Sequence, residues 1–211
     1  MAEIGGRPFL EYLLGRMEQR GIARTVLATG HMHDCIKRHF MGRWGSMEIC
    51  YSVEERALGT GGAVWKAMSL TCADDVFIFN GDTFFDADPA RLLEIHRSLA
   101  ADITLALKPM RSPDRYGTVK LDGARVVGFR EKGRIDKGLI NGGVYLMNRR
   151  LTERYLIEGP FSLETDFLEK RTEEIMIAGL VQDRYFIDIG IPEDYARARS
   201  ELARMRFPHT S

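Results

Sequence analysis

The sequence predicts an α/β fold, a mixed and mostly parallel sheet flanked by helices. Three observations carry that prediction. Helix-patterned and strand-patterned stretches alternate through the first half of the chain, and strands joined by helical crossovers run parallel. The run Val76-Phe77-Ile78-Phe79 is apolar throughout, as a central strand buried on both faces should be. Two apolar runs end in an aspartate and a turn, at Asn80-Gly81-Asp82 and at Asp188-Ile189-Gly190, and open α/β sheets bind ligands beyond such strand ends.

Taken in order, Arg7 to Arg20 sets Phe9, Leu10, Leu13, Leu14 and Met17 at helical spacing, and Gly21 closes the helix. Thr25 to Thr29 is a β-prone run ended by Gly30; His33 to Phe40 reads as a helix and Met47 to Ser52 as a strand. A glycine-rich turn, Leu58-Gly59-Thr60-Gly61-Gly62-Ala63, precedes a helix over Val64 to Leu70. After the Val76–Phe79 strand, Pro89 opens a helix to about Leu99, and Ile103 to Leu107 forms the next strand. Gly117–Leu121 and Arg125–Phe129 flank Asp122-Gly123, a hairpin signal. Leu139 to Met147 is a further strand, and Pro192 starts an amphipathic helix to about Met205, with Pro208-His209-Thr210-Ser211 a frayed tail.

Composition bounds the function. The chain has 211 residues, 45% of them hydrophobic, enough for one substantial core. Its 30 basic and 30 acidic residues cancel, which excludes a broad cationic surface for nucleic acid or anionic membrane but not a local anion pocket. Cys35, Cys50 and Cys72 form no CxxC pair, so neither a zinc knuckle nor a disulfide framework is supported. With no signal-like N-terminus and no membrane-length apolar run, the expected compartment is the cytoplasm.

Three stretches carry chemistry. The glycine-rich turn lets backbone N–H groups approach a ligand, although it also reads as a plain helix-capping turn. Asp82 follows a buried strand, where a carboxylate can hold Mg2+ or simply cap a turn. Asp188 ends a second apolar strand before a glycine turn, and the two aspartates could share one Mg2+ beside a transferring phosphoryl group. A helix N-cap is the rival role for Asp188. His31 and His33 lack supporting metal ligands in the sequence.

Read in order, Leu58-Gly59-Thr60-Gly61-Gly62, Asn80-Gly81-Asp82, Tyr116-Gly117, Glu131-Lys132, Asn141-Gly142-Gly143-Val144-Tyr145 and Asp188-Ile189-Gly190-Ile191-Pro192-Glu193-Asp194 resemble the sugar-1-phosphate nucleotidylyltransferases. The stretches Asn80–Asp86, Asp114–Val119 and Gly138–Gly143 look closest to the D-glycero-D-manno-heptose 1-phosphate guanylyltransferase branch. The resemblance implies a Rossmann-like nucleotide-diphospho-sugar transferase fold over residues 1–207, with a small sugar-binding β region at about 108–147. It implies a nucleotide sugar and pyrophosphate made from an NTP, GTP above others, and a sugar 1-phosphate, with Mg2+ on Asp82 and Asp188. Leu58, Gly59, Thr60, Gly61, Gly62, Asn80 and Gly81 would serve the nucleotide, with Gly61 and Gly62 close to the base. Tyr116, Gly117, Glu131, Lys132, Asn141 and Gly142 would serve the sugar phosphate. Each has a plainer role open to it: Glu131-Lys132 as a solvated pair, Tyr116 as a core aromatic, and Glu164 as a first-turn carboxylate after Ser162.

The family pattern opens with a strand, a Gly-Gly-x-Gly-Thr-Arg-Leu loop and a Pro-Lys-Pro stretch. This chain begins at Met1-Ala2-Glu3-Ile4-Gly5-Gly6-Arg7, which matches the family segment immediately after Pro-Lys-Pro. Either the start lies at an internal methionine, or the chain is a truncated product with exposed strand edges, low stability and little activity. An inactive sugar-nucleotide-binding module and a transferase for another hexose 1-phosphate remain alternatives. A dinucleotide oxidoreductase lacks its G-x-G-x-x-G. Oligomeric state is not readable.

Overall fold

The computed structural model describes residues 1–205, so the tail Pro208–Ser211 lies outside the described residues. The chain opens with a tight hairpin, β1 (Glu3–Ile4) and β2 (Arg7–Pro8), turned by Gly5 and Gly6 at positive φ. Next come α1 (Phe9–Gln19), β3 (Arg24–Thr29), α2 (His33–Phe40), β4 (Arg43–Trp44), β5 (Met47–Val53), α3 (Gly59–Met68), β6 (Asp75–Phe79), β7 (Thr83–Phe85) and α4 (Pro89–Ser98). The second half contains β8 (Ile103–Arg111), β9 (Thr118–Asp122), β10 (Arg125–Arg130), β11 (Lys137–Asn148), α5 (Arg150–Arg154), β12 (Ile177–Val181), β13 (Phe186–Asp188) and α6 (Pro192–Glu201). A π-helical turn, Leu163–Leu168, lies between α5 and β12. No helix of the described residues is long and apolar enough to cross a membrane.

The architecture is mixed α/β, as expected, but the balance of strand directions is not. Among the described residues the six-stranded sheet runs β6-β11-β8-β12-β10-β9, and only its β8–β12 pair is parallel. A separate three-stranded sheet pairs β3 with β5 in parallel and β5 with β4 antiparallel. The crossover logic itself holds: β6 and β8, joined through α4, run the same way. The long β11 then enters between them in the opposite direction, antiparallel to both. Reading strands as sequential neighbours cannot anticipate that insertion.

For the same reason the apolar run Val76–Phe79 is not central among the described strands. β6 pairs with β11 along one edge, and β3 pairs with β5 along one edge. Facing their other edges is an apolar cavity of about 760 Å³, lined by Val26, Ala28, Phe77 and Phe79, by Leu13 of α1 and by Met68 of α3. Elsewhere the buried apolar residues gather in three clusters. Ile103, Leu105, Leu107 and Tyr145 are fully buried under the six-stranded sheet, and Phe9, Leu14, Phe40 and Met47 fill the space between α1 and the three-stranded sheet.

Candidate active site

β11 does more than fill the sheet. Its register against β8 steps from Asn141↔Leu107 to Tyr145↔Leu105, so the segment between carries two extra residues. Such bulges re-aim side chains. Here Gly143 takes φ 70°, a left-handed conformation that glycine adopts without strain. Asn141 and Tyr145 are thereby joined, Asn141 Nδ2 donating to the Tyr145 hydroxyl at 2.8 Å, while the Gly143 N–H donates to Asn141 Oδ1 at 3.1 Å. The Gly143 carbonyl accepts from the Asn80 N–H at 2.8 Å. The bulge thus ties the floor of the site to the end of β6.

The two aspartates meet because β7 and β13 pair antiparallel, with Asp188 opposite Thr83. The Ile189 N–H donates to the Asp82 carbonyl at 2.9 Å. Both carboxylates face Gly190: a Cβ there would lie 3.1 Å from Asp188 Oδ1 and 4.0 Å from Asp82 Oδ2. Neither aspartate is a helix cap. Asp188 Oδ1 accepts from the Gly190 N–H at 2.9 Å, Asp82 Oδ1 accepts from the Thr83 hydroxyl at 3.2 Å, and α6 starts at Ile191 without a side-chain cap. Burial pushes the Asp188 carboxyl above the usual carboxylate range, and the Asp82 charge adds to that; the Gly190 N–H works the other way. The Tyr116 hydroxyl lies against Asp188, is raised in pKa by burial and by that charge, and makes no hydrogen bond of good geometry.

These groups open into a cavity of about 850 Å³. Of the residues expected from the sequence, Asn80, Asp82, Tyr116, Gly117, Glu131, Lys132, Asn141 and Asp188 all line it. Glu131 and Lys132 are exposed, so the pair stands at the rim. Tyr116 packs edge-on against Phe186 with ring centroids 6.0 Å apart, combining a core ring with a hydroxyl at the cavity.

The remaining expectations come out differently. Leu58, Gly59, Thr60, Gly61 and Gly62 are not part of this wall, and neither are Gly81 and Gly142. The glycines are not a loop before a helix: α3 already begins at Gly59. Their smallness is spent on the protein itself. A Cβ at Gly61 would collide with the Phe161 ring, one at Gly59 (φ 73°) would sit 2.5 Å from the Phe161 carbonyl oxygen, and one at Gly62 would meet Leu58. A Cβ at Gly142 would likewise strike the Phe85 ring. Gly81 borders the apolar cavity beside Asp82.

Among the wall residues that the sequence did not place at a ligand site are three charged side chains. Arg115 and Arg130 bring cations to the wall, Arg115 paired with Glu193 of α6 at 2.8 Å. Glu164 lines it too, and it is also the first-turn carboxylate after Ser162, whose hydroxyl oxygen caps the π-helical turn at the Thr165 N–H. Arg115 stands beside Tyr116 in the Asp114–Val119 stretch, and that adjacency was the available signal. His33 is a helix-start residue bonded to the Thr29 hydroxyl at 2.9 Å, and among the described residues no three His, Cys, Asp or Glu side chains gather as a metal-binding group.

A mixed α/β sheet thus brings paired carboxylates from adjoining strand ends to a cavity lined by charged and polar side chains. The chain belongs to the Nucleotidyl transferase family, which it matches over residues 1–205. It is 46% identical over 202 residues to the D-glycero-alpha-D-manno-heptose 1-phosphate guanylyltransferase of Aneurinibacillus thermoaerophilus, spanning 96% of this chain and 88% of that one. The Campylobacter jejuni enzyme of the same name is 38% identical over 92% of this chain and 86% of its own length. The crystal structure of HddC from Yersinia pseudotuberculosis complexed with GMP-PN superposes with a TM-score of 0.86 at 33% identity, over 96% of this chain and 88% of that chain.

Proposed function

We propose that this protein transfers a guanylyl group from GTP to the phosphate of D-glycero-D-manno-heptose 1-phosphate, releasing pyrophosphate, with Mg2+ held by Asp82 and Asp188. The observation that carries the reading is the convergence of those two carboxylates on Gly190 at the mouth of the polar cavity. Two carboxylates without a third suit Mg2+, which keeps several waters and takes its other ligands from substrate phosphates. When bound there the ion neutralises charge on the reacting phosphoryl group.

A phosphate oxygen of the sugar phosphate attacks the α-phosphorus of GTP. The bond from that phosphorus to the oxygen bridging to the β-phosphate breaks, and its electron pair leaves with pyrophosphate. The residues of this chain bind and orient. Glu131 and Asn141 offer an acceptor and a mixed donor–acceptor to sugar hydroxyls, and Lys132 offers a cation to phosphate. Tyr116, with its raised pKa, stays neutral and can donate. Leu58–Gly62, Asn80 and Gly81 form the nucleotide side, with Leu58–Gly62 acting through backbone braced on Phe161 rather than through side chains. Gly117 and Gly142 shape the sugar side without offering a side chain. We place the reaction in the cytoplasm, where a GTP pool is at hand.

The test is pyrophosphate release by the purified chain and by a version extended upstream, with GTP and the heptose 1-phosphate, against ATP, UTP and dTTP and against mannose and glucose 1-phosphates. Highest kcat/KM with GTP and the heptose phosphate is expected. Preference for another pair would reassign the substrate, and ligand binding without turnover would leave a binding module.

A further inference from the structure

Glu164 stands where three separate segments meet. Its carboxylate accepts from the Tyr145 hydroxyl of β11 at 2.6 Å, from the Thr60 hydroxyl of α3 at 3.0 Å and from the Ser162 hydroxyl at 3.1 Å. Beyond each partner the bonding continues. Tyr145 leads through Asn141 and Gly143 to the Asn80 N–H, two residues before Asp82. Thr60 accepts from the Leu163 N–H at 2.9 Å; the Gly61 N–H donates to the Phe161 carbonyl and the Phe161 N–H to the Leu58 carbonyl, each at 3.0 Å.

We propose that Glu164 is a positioning residue that couples the glycine turn Leu58–Gly62 to the cavity floor Asn141–Tyr145, so that order on one side is transmitted to the other. Which side serves nucleotide and which serves sugar rests on the function proposed above; the coupling itself does not.

A carboxylate suits this junction. It is an acceptor only, with about four lone-pair positions, so three hydroxyls can all donate to it at once. Bonds to an ionised acceptor are roughly twice as strong as neutral ones. The Tyr145 end is held by packing, because its ring is fully buried, and burial together with Glu164 keeps its hydroxyl protonated and able to donate. The Thr60 end is exposed, and this contact, the Leu163 N–H bond to Thr60 and the Phe161 segment link the turn toward β11. The π-helical turn that presents Glu164 is itself a rare geometry, frequent at functional sites.

Backbone hydrogen exchange on the ligand-free chain tests the coupling. In Glu164→Gln the amides of Gly61 and Gly143 should both exchange about tenfold faster, with those of Leu105 and Ile177 in the sheet unchanged. Acceleration confined to Leu163–Asp166 would reduce Glu164 to a brace for its own turn and overturn the proposal. Should Glu164→Gln fail to fold, Thr60→Val decides: it removes one link from the glycine side, and an unchanged Gly143 amide would overturn the proposal equally. Because no ligand is present, failure of guanylyl transfer in the parent chain bears on the function alone. Where turnover is found, sugar phosphate should lower the GTP KM in the parent and leave it unchanged in Glu164→Gln, a difference that a loss of general stability would not produce.

Discussion

The molecule holds two cavities of similar size and opposite character, about 850 Å³ and 760 Å³, and Asp82 borders both. On one side of the β6 terminus the wall is Asn80, Asp188, Tyr116, Glu131 and Asn141. On the other it is Val26, Ala28, Phe77 and Phe79, the sides of two strands each paired along one edge. Volume therefore does not distinguish the two; convergence of a few polar groups makes the first the candidate active site. The polar cavity is built from strand ends and a bulge, where backbone irregularity aims side chains inward. The apolar one lies along consecutive residues of β3 and β6 and is closed by α1 and α3, so its wall is mainly aliphatic and aromatic, with Thr25, Thr29 and Asp75 among it.

The largest expected effect breaks this contrast on the polar side. Asp82→Asn and Asp188→Asn should each lower turnover on the order of 10³-fold, with the loss only partly recovered by raising Mg2+. Steady-state pyrophosphate release reads it. Unchanged turnover in either variant would remove that residue from the metal pair.

Next come the glycines, which packing and ligand contact would explain differently. If their smallness serves packing, as the Phe161 and Phe85 contacts indicate, Gly61→Ala and Gly142→Ala should each cost about 1–3 kcal/mol of stability before any ligand is added. Denaturant midpoints measured without nucleotide check this. Normal stability combined with weakened GTP binding would return Gly61 to direct base contact.

The apolar cavity can be probed separately. A fluorescent apolar dye such as ANS, which reports exposed hydrophobic surface, should bind the folded chain there. Val26 lies on β3 and is not part of the polar cavity's wall, so Val26→Lys should cut the dye fluorescence about threefold while turnover stays within about twofold of the parent. Equal loss of both signals would show that the two cavities are one functional unit.

These contrasts also mark what the sequence could disclose. Asp82 and Asp188 could be singled out because each is an acid at the end of an apolar run, and the folded strand ends bring both carboxylates to Gly190. The Asp122-Gly123 hairpin was legible because its turn chemistry is local, and Gly123 indeed takes φ 57°. β12 was not legible: Ile177-Ala178-Gly179-Leu180-Val181 contains two weak strand formers, and it is held by β8 and by Asp102, whose Oδ2 accepts from the Met176 N–H at 2.8 Å, partners distant in sequence. The direction of β11 and the meeting of Thr60 with Glu164 are equally non-local. Motif spacing named the candidate residues; pairing across the sheet decided which of them share a wall.

The smallest expected effect sharpens the polar side by its electrostatics. Asp188 has a raised pKa through burial and the neighbouring Asp82 charge. A carboxyl that binds its proton more tightly folded than unfolded makes stability fall as pH rises from the ordinary carboxylate range, near 4, through the raised folded value. At pH 7 without Mg2+ the site therefore opposes folding. Asp188→Asn removes that charge and should raise Tm by about 1–3 °C in EDTA, flattening the pH dependence above about pH 4. In the parent, added Mg2+ should raise Tm by binding only the folded state, and the variant should lose most of that response. A variant that is less stable than the parent in EDTA would mean that the Asp188 bond to the Gly190 N–H outweighs the charge, and that the site is held together by its carboxylate rather than strained by it.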